Sequence, residues 1–166
     1  MPPAPPPSAP AVPTVPNARP ATDADLAGLV ALQHAAYGPM ALVSGAQPLP
    51  LRVDYREIMA TSEIWLVDGA SALDAALILQ HEGEVTLIWS VAVHPETQSR
   101  GLGQALLKLA DDRARARGAR QMRLYTNKKF ERNRAIYRRY GYAEVREELY
   151  GDAEPPWMVV HMEKPL

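Results

Sequence analysis

The segment that most constrains the fold of this chain is Val91–Arg117. It joins the end of an apolar, strand-like run to two closely spaced glycines, Gly101 and Gly103, and then to a helix with one apolar face. The first amides of a helix have no partner within the helix and carry partial positive charge, so they bind phosphate groups. Glycines at this point let a diphosphate approach the backbone closely. The segment therefore predicts a phosphate-binding loop between a strand and a helix.

Other known phosphate loops match this segment less well. The dinucleotide-binding pattern needs a third glycine where the chain has Leu106. The P-loop needs a lysine after its last glycine, but Gly103 is followed by Gln104. A pair of glycines alone is a weak signal, so a nucleotide binder with a different phosphate loop stays open at this point.

Helical and strand-like patterns alternate along the rest of the chain. Helices are predicted from Thr22 to a stop at Gly38-Pro39 and over Val53–Thr61, with a loop over residues 40–50 between them. Strand-like runs are Glu63–Val67, Ala75–Gln80, Glu84–Val93, Gln121–Thr126, Tyr142–Leu149 and Trp157–Glu163, and a further helix is Asn133–Tyr140. This order predicts a mixed α/β (α+β) single domain, with one parallel step across the helix at 101–117.

Length and composition limit the classes of protein. The 166 residues correspond to about one domain. Residues 1–16 are rich in Pro and Ala and are predicted to form an extended, disordered tail before a domain over residues 17–166. The absence of cysteine excludes a disulfide framework, a zinc-thiolate site and a thiol nucleophile. No secretory signal or membrane span is predicted, so we expect a cytoplasmic protein without a membrane partner.

Charge is unevenly distributed along the chain. Residues 100–139 contain 13 Lys and Arg against 3 Asp and Glu, whereas both flanking parts are acidic. A basic middle suggests an anionic ligand, and the acidic flanks suggest a cationic one. A solvated, arginine-rich helical surface explains the same pattern. Nucleic acid is not expected, because the chain as a whole is slightly acidic.

Two blocks of sequence resemble the GNAT superfamily of acetyl-CoA-dependent N-acetyltransferases. The first consists of Val91-Ala92-Val93-His94-Pro95, Gln98, Gly101-Leu102-Gly103 and Leu106-Leu107, and is similar to the acetyl-CoA-binding motif. The second consists of Leu124-Tyr125-Thr126-Asn127 and Asn133–Tyr142, and the closing residues Val159–Leu166 resemble a frequent end of these proteins. The likeness covers residues 18–166, which leaves out only the tail.

The resemblance implies a central, mostly antiparallel mixed sheet that is splayed between strands 4 and 5, with a bulge in strand 4. Backbone groups of Val91 and Val93 would bind the pantetheine and the thioester, and amides across Ser99–Gln104 would bind the diphosphate. Asn133 would contact the cofactor arm. The co-substrate is expected to be acetyl-CoA, with no metal. The cofactor-binding residues implied in this way are Val91, Ala92, Val93, Gln98, Ser99, Arg100, Gly101, Leu102, Gly103, Gln104, Asn133 and Tyr137.

Acetyl transfer needs an acid for the leaving thiolate and a means of deprotonating the amine. The resemblance implies that Tyr137 is the general acid, with Tyr140 as the alternative. A purely structural role for Tyr137, with its ring packed against the sheet, is the other interpretation. Some GNAT enzymes use a carboxylate late in the strand before the loop, and this chain has none there. Glu84 is therefore considered as a base acting through water, although a solvated hairpin carboxylate is the favoured interpretation. His81 and His94 titrate in a useful range, but structural or surface roles are favoured for both.

The acceptor is predicted to be a primary amine of a small molecule or a peptide. The loop at 38–55 and the turn at 150–156 flank the acceptor side in GNAT proteins, and acidic residues in them suit a cationic amine. The residues considered as lining this side are Tyr37, Asp54, Tyr55, Trp89 and Trp157, although core or interface packing is favoured for the two tryptophans. The alternative function is a GNAT-fold sensor or assembly module that binds acyl-CoA without efficient transfer. The oligomeric state stays open, and a homodimer is one option.

Overall fold

The computed structural model of the chain describes residues 18–45, 47–150 and 157–166. In chain order its elements are β1 (Ala18–Pro20), α1 (Leu26–Ser44), α2 (Tyr55–Thr61), β2 (Glu63–Asp68), β3 (Leu73–Glu82), β4 (Val85–Val93), α3 (Leu102–Ala116), β5 (Gln121–Asn127), α4 (Glu131–Arg139), β6 (Ala143–Tyr150) and β7 (Trp157–Pro165). Short 3-10 turns occupy Asp23–Asp25, Leu49–Leu51 and Pro95–Arg100. The predicted tail over residues 1–16 and the turn over 151–156 lie outside the described residues.

The described strands form one seven-stranded sheet in the order β1-β2-β3-β4-β5-β7-β6. The pair β4–β5 is parallel and every other pair is antiparallel. The chain passes from β4 to β5 through α3, because parallel neighbours need a crossover. The mixed α/β single domain and its one parallel step are therefore confirmed.

The sheet opens between β4 and β5. The two strands pair only over Val85–Leu87 and Gln121–Arg123, at the start of each strand. On its other side, β4 has one residue more than β3, because Ile78 pairs with Ser90 and the next residue of β3 pairs with Ile88. The extra residue, Trp89, is a β-bulge, which bends the strand. The splay and the bulge that the resemblance implied are both present.

Helices cover both faces of the sheet. On one face, α3 buries Leu106, Leu109 and Ala110, which recur at the three-to-four-residue spacing of a helical face. On the other face, α1 buries Leu29 and Leu32 in a second apolar cluster that includes the start of α2. Both α1 and α3 contact β4. The strand that leads to the predicted phosphate loop is thus fixed from both sides.

The prediction that α1 stops at Gly38-Pro39 is wrong, and part of the predicted loop at 40–50 is helical. The helix continues through Pro39 to Ser44 and ends at Gly45, whose φ of 77° is left-handed. Proline clashes most with a Cβ on the residue before it, and Gly38 has none. The continuation carries Met40 and Ser44 to the wall of a cavity.

The short strand β1 was not predicted. It has only three residues, too few to show a strand pattern, and it forms by pairing with β2. Arg19 holds it in place, because its guanidinium donates to Asp25 at 2.8 Å and to Asp68 at 2.7 Å.

The helical stretch Asp23–Ser44 has the length and apolar composition that a membrane span requires. About 22% of the most apolar window of this stretch is buried inside the domain. Helices that contribute to the core of a folded domain meet the same criteria, so this finding is weak evidence for a membrane span.

Glu63 is the centre of a polar cluster on the α3 side of the sheet. Its carboxylate accepts hydrogen bonds from Trp65 at 2.8 Å, from His81 at 2.9 Å and from Arg113, and Arg117 lies 3.2 Å away. Burial would raise the pKa of Glu63, but the hydrogen bonds from Trp65, Arg113 and His81 outweigh it and lower this pKa to about 2. His81, considered above as a titrating group, is therefore part of a structural cluster.

The Glu63→Gln variant is expected to lose less stability than the wild type when the pH is lowered. Because the carboxylate is favoured in the folded state, its contribution is complete above pH 4.5 and disappears as the pH falls towards 2. Urea unfolding at pH 7 and pH 3 should show a decrease in unfolding free energy that is smaller in the variant by roughly 1–2 kcal/mol, after allowance for solvent screening. The exposed Glu84→Gln is the control and should behave like the wild type. Equal decreases in all three proteins would contradict the assignment.

Candidate functional site

The predicted phosphate loop forms the start of α3. Pro95–Arg100 is a 3-10 turn, Gly101 follows with a φ of 77°, and the helix begins at Leu102. The amide of Ala105 donates to the Gly101 carbonyl at 3.1 Å, so the three amides before it lie at the open start of the helix. A Cβ added to Gly101 would meet no atom within 4 Å, and glycine is therefore required there by the backbone conformation.

The free edge of β4 begins where β5 departs. The amide of His94 donates to the Asp74 carbonyl at 2.8 Å, which directs the backbone groups of His94 towards β3. Backbone groups alternate between the two edges of a strand, so those of Val91 and Val93 point towards the gap beside β5. This is the orientation that the resemblance implied for binding the pantetheine.

Side chains contact this free edge at two points. Gln98 Nε2 donates to the Val93 carbonyl and Tyr37 Oη donates to the Val91 carbonyl, each at 3.4 Å. Both hydrogen bonds are long, and neither residue belongs to the sheet. Two carbonyls that lack a neighbouring strand therefore meet side-chain donors, and a ligand with amide groups offers stronger ones.

A cavity of about 120 Å³ lies in the gap between β4 and β5. Its walls come from the divergent parts of both strands, from α4, from α1 and the loop after it, and from the β6–β7 pair. The lining residues are Tyr37, Met40, Ser44, Pro48, Leu49, Pro50, Ile88, Trp89, Ser90, Val91, Leu124, Tyr125, Thr126, Asn127, Phe130, Asn133, Tyr137, Tyr150, Trp157 and Val159. The gap in the sheet is thus a shaped site, with aromatic rings on several sides.

Tyr137 lies on α4 and lines this cavity. Its ring also packs against the main apolar cluster and meets Tyr142 edge to face, with ring centroids 6.1 Å apart. Burial raises the pKa of the Tyr137 phenol well above its usual value, so the phenol keeps its proton at neutral pH. Tyr140 packs against the same apolar cluster but is not among the lining residues. Of the two tyrosines, Tyr137 is therefore the one that lines the cavity.

A chain of polar side chains lies next to the bulge of β4. Tyr37 Oη is 3.0 Å from Ser90 Oγ, and Ser90 Oγ donates to Gln33 Oε1 at 3.2 Å. Gln33 is completely buried and Ser90 nearly so. Sequence patterns did not single out Gln33 or Ser90 as site residues, although Ser90 is an isolated polar residue within an apolar run.

The structure brings most of the predicted site residues together. Tyr37, Trp89, Val91, Asn133, Tyr137 and Trp157 line the cavity. Val93, Gln98 and the residues from Arg100 to Gln104 form the loop and its approach, and Ser99 is described here by its backbone alone. Ala92 faces the α1 layer and is buried there.

Other predicted residues lie outside the cavity. Glu84 is in the turn before β4, at the end opposite the divergence, where it is exposed and 3.3 Å from Arg120. Asp54 caps α2 by accepting from the Arg56 amide at 2.9 Å. Tyr55 is buried behind Trp89 and supports it rather than lining the site.

Ion pairs account for much of the uneven charge seen in the sequence. Arg113 pairs with Glu63, Arg134 and Arg138 pair with Glu144, and further pairs join Lys128 to Glu147 and Arg123 to Glu163. Basic residues of the middle segment thus neutralise acidic residues of both flanks. Among the lining residues that the structure describes, none is a carboxylate. Asp152 and Glu154 of the predicted turn lie outside the described residues.

Comparison with known proteins agrees with this geometry. The sequence profile of the acetyltransferase (GNAT) family matches residues 47–142, more than half of the chain. The chain therefore belongs to the GNAT family, which excludes the unrelated phosphate-loop nucleotide binder.

The individual proteins that resemble the chain match only part of its sequence or have low sequence identity to it. A mycothiol acetyltransferase of Beutenbergia cavernae is 40% identical over 87 residues, which are 51% of this chain and only 29% of that protein. The ribosomal-protein-S18-alanine N-acetyltransferase of Escherichia coli has the same fold, with a TM-score of 0.73 and 18% identity over 90% of this chain and 92% of that one. A GNAT family acetyltransferase of Elizabethkingia anophelis with acetyl-CoA bound has a TM-score of 0.63 and 16% identity, over 90% and 97% of the two chains.

Gly101→Ala is expected to weaken the binding of acetyl-CoA. A residue with a Cβ is strained at a φ of 77°, at a cost of about 1–2 kcal/mol, and relief of that strain would move the first amides of α3. Gly83→Ala is a matched control, because Gly83 also has a positive φ and open space around it but lies in the β3–β4 turn. Calorimetric titration should show a loss of affinity of about tenfold or more in Gly101→Ala only, although both variants lose stability. Equal affinities in the two variants would contradict the assignment of this loop.

Proposed function

We propose that this chain is an acetyltransferase that passes the acetyl group of acetyl-CoA to a primary amine of a small molecule or a peptide. The observation that carries the proposal is the continuity of the site. The open amides at the start of α3, the free edge of β4 and the cavity between the strands follow one another along a single path. A cofactor with a diphosphate, an amide-containing arm and a reactive end fits these three parts in that order.

The loop and the strand edge would hold the co-substrate. The amides of Leu102, Gly103 and Gln104 would bind the diphosphate, and the partial charge at the helix start would favour its negative charge. The backbone groups of Val91 and Val93 would replace their long contacts to Tyr37 and Gln98 with hydrogen bonds to the pantetheine arm. Acetyl-CoA supplies an acetyl group that is activated as a thioester.

Transfer then requires charge stabilisation and two proton movements. The amide of Val91 would donate to the thioester oxygen as negative charge develops there, a contact worth roughly 3–4 kcal/mol in other enzymes. Tyr137 would donate its phenolic proton to the departing sulfur. Glu84 is remote from the cavity, so we propose that the amine attacks in its neutral form. Water then takes the proton that the nitrogen loses as the amide forms, and the Tyr137 phenolate regains a proton from water. The hydroxyl groups of Tyr37 and Ser90 would orient the amine.

The Tyr137→Phe variant tests whether Tyr137 acts in acetyl transfer and not in the binding of acetyl-CoA. The variant loses only the phenolic hydroxyl, so acetyl-CoA should bind with nearly unchanged affinity while the release of CoA thiol in the presence of an amine slows by about a hundredfold. Tyr140→Phe is the control, because that ring lies outside the cavity, and its turnover should be normal.

Three outcomes of this experiment are informative. Unchanged turnover in Tyr137→Phe would remove Tyr137 as the acid. If the wild type binds acetyl-CoA but releases no CoA thiol with any amine, the sensor or assembly function is favoured. A wild-type melting temperature that does not rise with acetyl-CoA would contradict the proposal altogether.

A further inference from the structure

One end of the cavity has mostly aromatic walls. Its walls there are Tyr37 and Met40 on α1, Leu49 in the turn after α1, the bulge residue Trp89, and Tyr150 with Trp157 on the β6–β7 pair. These are large apolar or aromatic side chains. Because the free edge of β4 and the α4 side of the cavity would hold the cofactor, this aromatic end is the part of the cavity left for the acceptor.

The wall at Trp89 is held in place by neighbouring residues in the absence of a ligand. The Tyr55 ring stands edge-on to Trp89, with centroids 6.1 Å apart and planes at 84°. The Tyr55 hydroxyl donates to the Pro50 carbonyl at 2.7 Å and ties the loop after α1 to the start of α2. An apolar group entering here therefore meets a surface that is already ordered, which reduces the entropic cost of binding.

The opposite wall consists of two paired rings. Tyr150 and Trp157 are partners across the β6–β7 ladder, and their centroids lie 6.5 Å apart with planes at 34°. The guanidinium carbon of Arg52 lies 5.8 Å from the centre of the Trp157 ring. A positive charge, that of Arg52, therefore lies over the Trp157 ring at this end of the cavity.

We infer that the acceptor is an amine that carries a compact aromatic or apolar group and no second positive charge, an inference that rests on the proposed acetyl transfer. The aromatic walls would bury the apolar group, while the hydroxyls of Tyr37 and Ser90 and the β4 edge offer acceptors for the amine N–H groups. A second ammonium group would be repelled by Arg52, whose guanidinium already lies over the Trp157 ring.

Three α-amino amides test this inference, because they share the same α-amine and differ only in the side chain. With acetyl-CoA, kcat/KM for formation of the Nα-acetyl product, measured by mass spectrometry so that acetylation of a side-chain amine is not counted, is expected to be about tenfold or more higher for L-phenylalaninamide than for L-alaninamide. L-lysinamide, whose side chain adds a positive charge, should be the poorest of the three. A kcat/KM for L-lysinamide equal to or above that for L-phenylalaninamide would overturn the inference and leave acetyl transfer intact.

Charge reversal at the wall gives an independent test. Arg52→Glu replaces an exposed cation at Trp157 and should raise kcat/KM for L-lysinamide relative to L-phenylalaninamide by about fivefold or more. Arg56→Glu makes the same change on the exposed side of α2, outside the cavity, and should leave the ratio unchanged. An unchanged ratio in Arg52→Glu would overturn the placement of the acceptor against Trp157.

Failure of the acceptor class and failure of the function can be told apart. If acetyl-CoA raises the melting temperature but none of the three amides is acetylated, the acceptor class is wrong and cofactor binding stands. If acetyl-CoA neither raises the melting temperature nor yields thiol with any amide, acetyl transfer fails and the inference fails with it.

Discussion

The site depends on the loss of pairing between two parallel strands. After three paired residues, β4 and β5 separate, and the edge of β4 from Ile88 onwards has no neighbouring strand. Buried backbone groups need hydrogen-bond partners, so an interrupted ladder must be completed by something else. Here Tyr37 and Gln98 supply long contacts to two of the carbonyls. A ligand that brings its own amides can complete the sheet in their place.

The surrounding elements keep this gap open and shape it. The bulge at Trp89 bends β4 in the region where β5 has separated from it, while α1 and α3 hold the strand from its two faces. Gly101 starts α3 immediately after the strand and its short turn, which places the first helical amides in line with the free edge. Tyr137 reaches the same gap from α4. One interruption in the sheet thus brings together groups from four parts of the chain.

Local sequence signals predicted the parts of this arrangement that depend on local physics. The glycine pair before an amphipathic helix predicted the loop, and strand-like and helical patterns predicted the element order. Short or context-dependent features were missed. The three residues of β1 form a strand only through pairing with β2, and α1 continues through Pro39 because Gly38 avoids a clash and the helix packs on the sheet.

The acceptor side was harder to predict because its chemistry is non-local. Acidic residues along the chain suggested a site for a cationic amine, but many of them pair with the basic middle segment, as Glu63 does with Arg113 and Glu144 with Arg134. A charge count along the sequence cannot show such pairing. Likewise, Gln33 and Ser90 meet only in the folded chain, 57 residues apart. The aromatic character of this end became visible only when the β6–β7 pair and α1 were placed beside the bulge.

The central claim is that the free edge of β4 and the start of α3 together bind acetyl-CoA, and residue-resolved amide hydrogen exchange tests it most directly. With saturating acetyl-CoA, exchange is expected to slow by about tenfold or more at Val91, Val93 and Leu102–Gln104, beyond any change at Val85–Leu87, where β4 is already paired with β5. Slowing that is uniform along β4, or absent from these amides while acetyl-CoA is bound, would contradict the account.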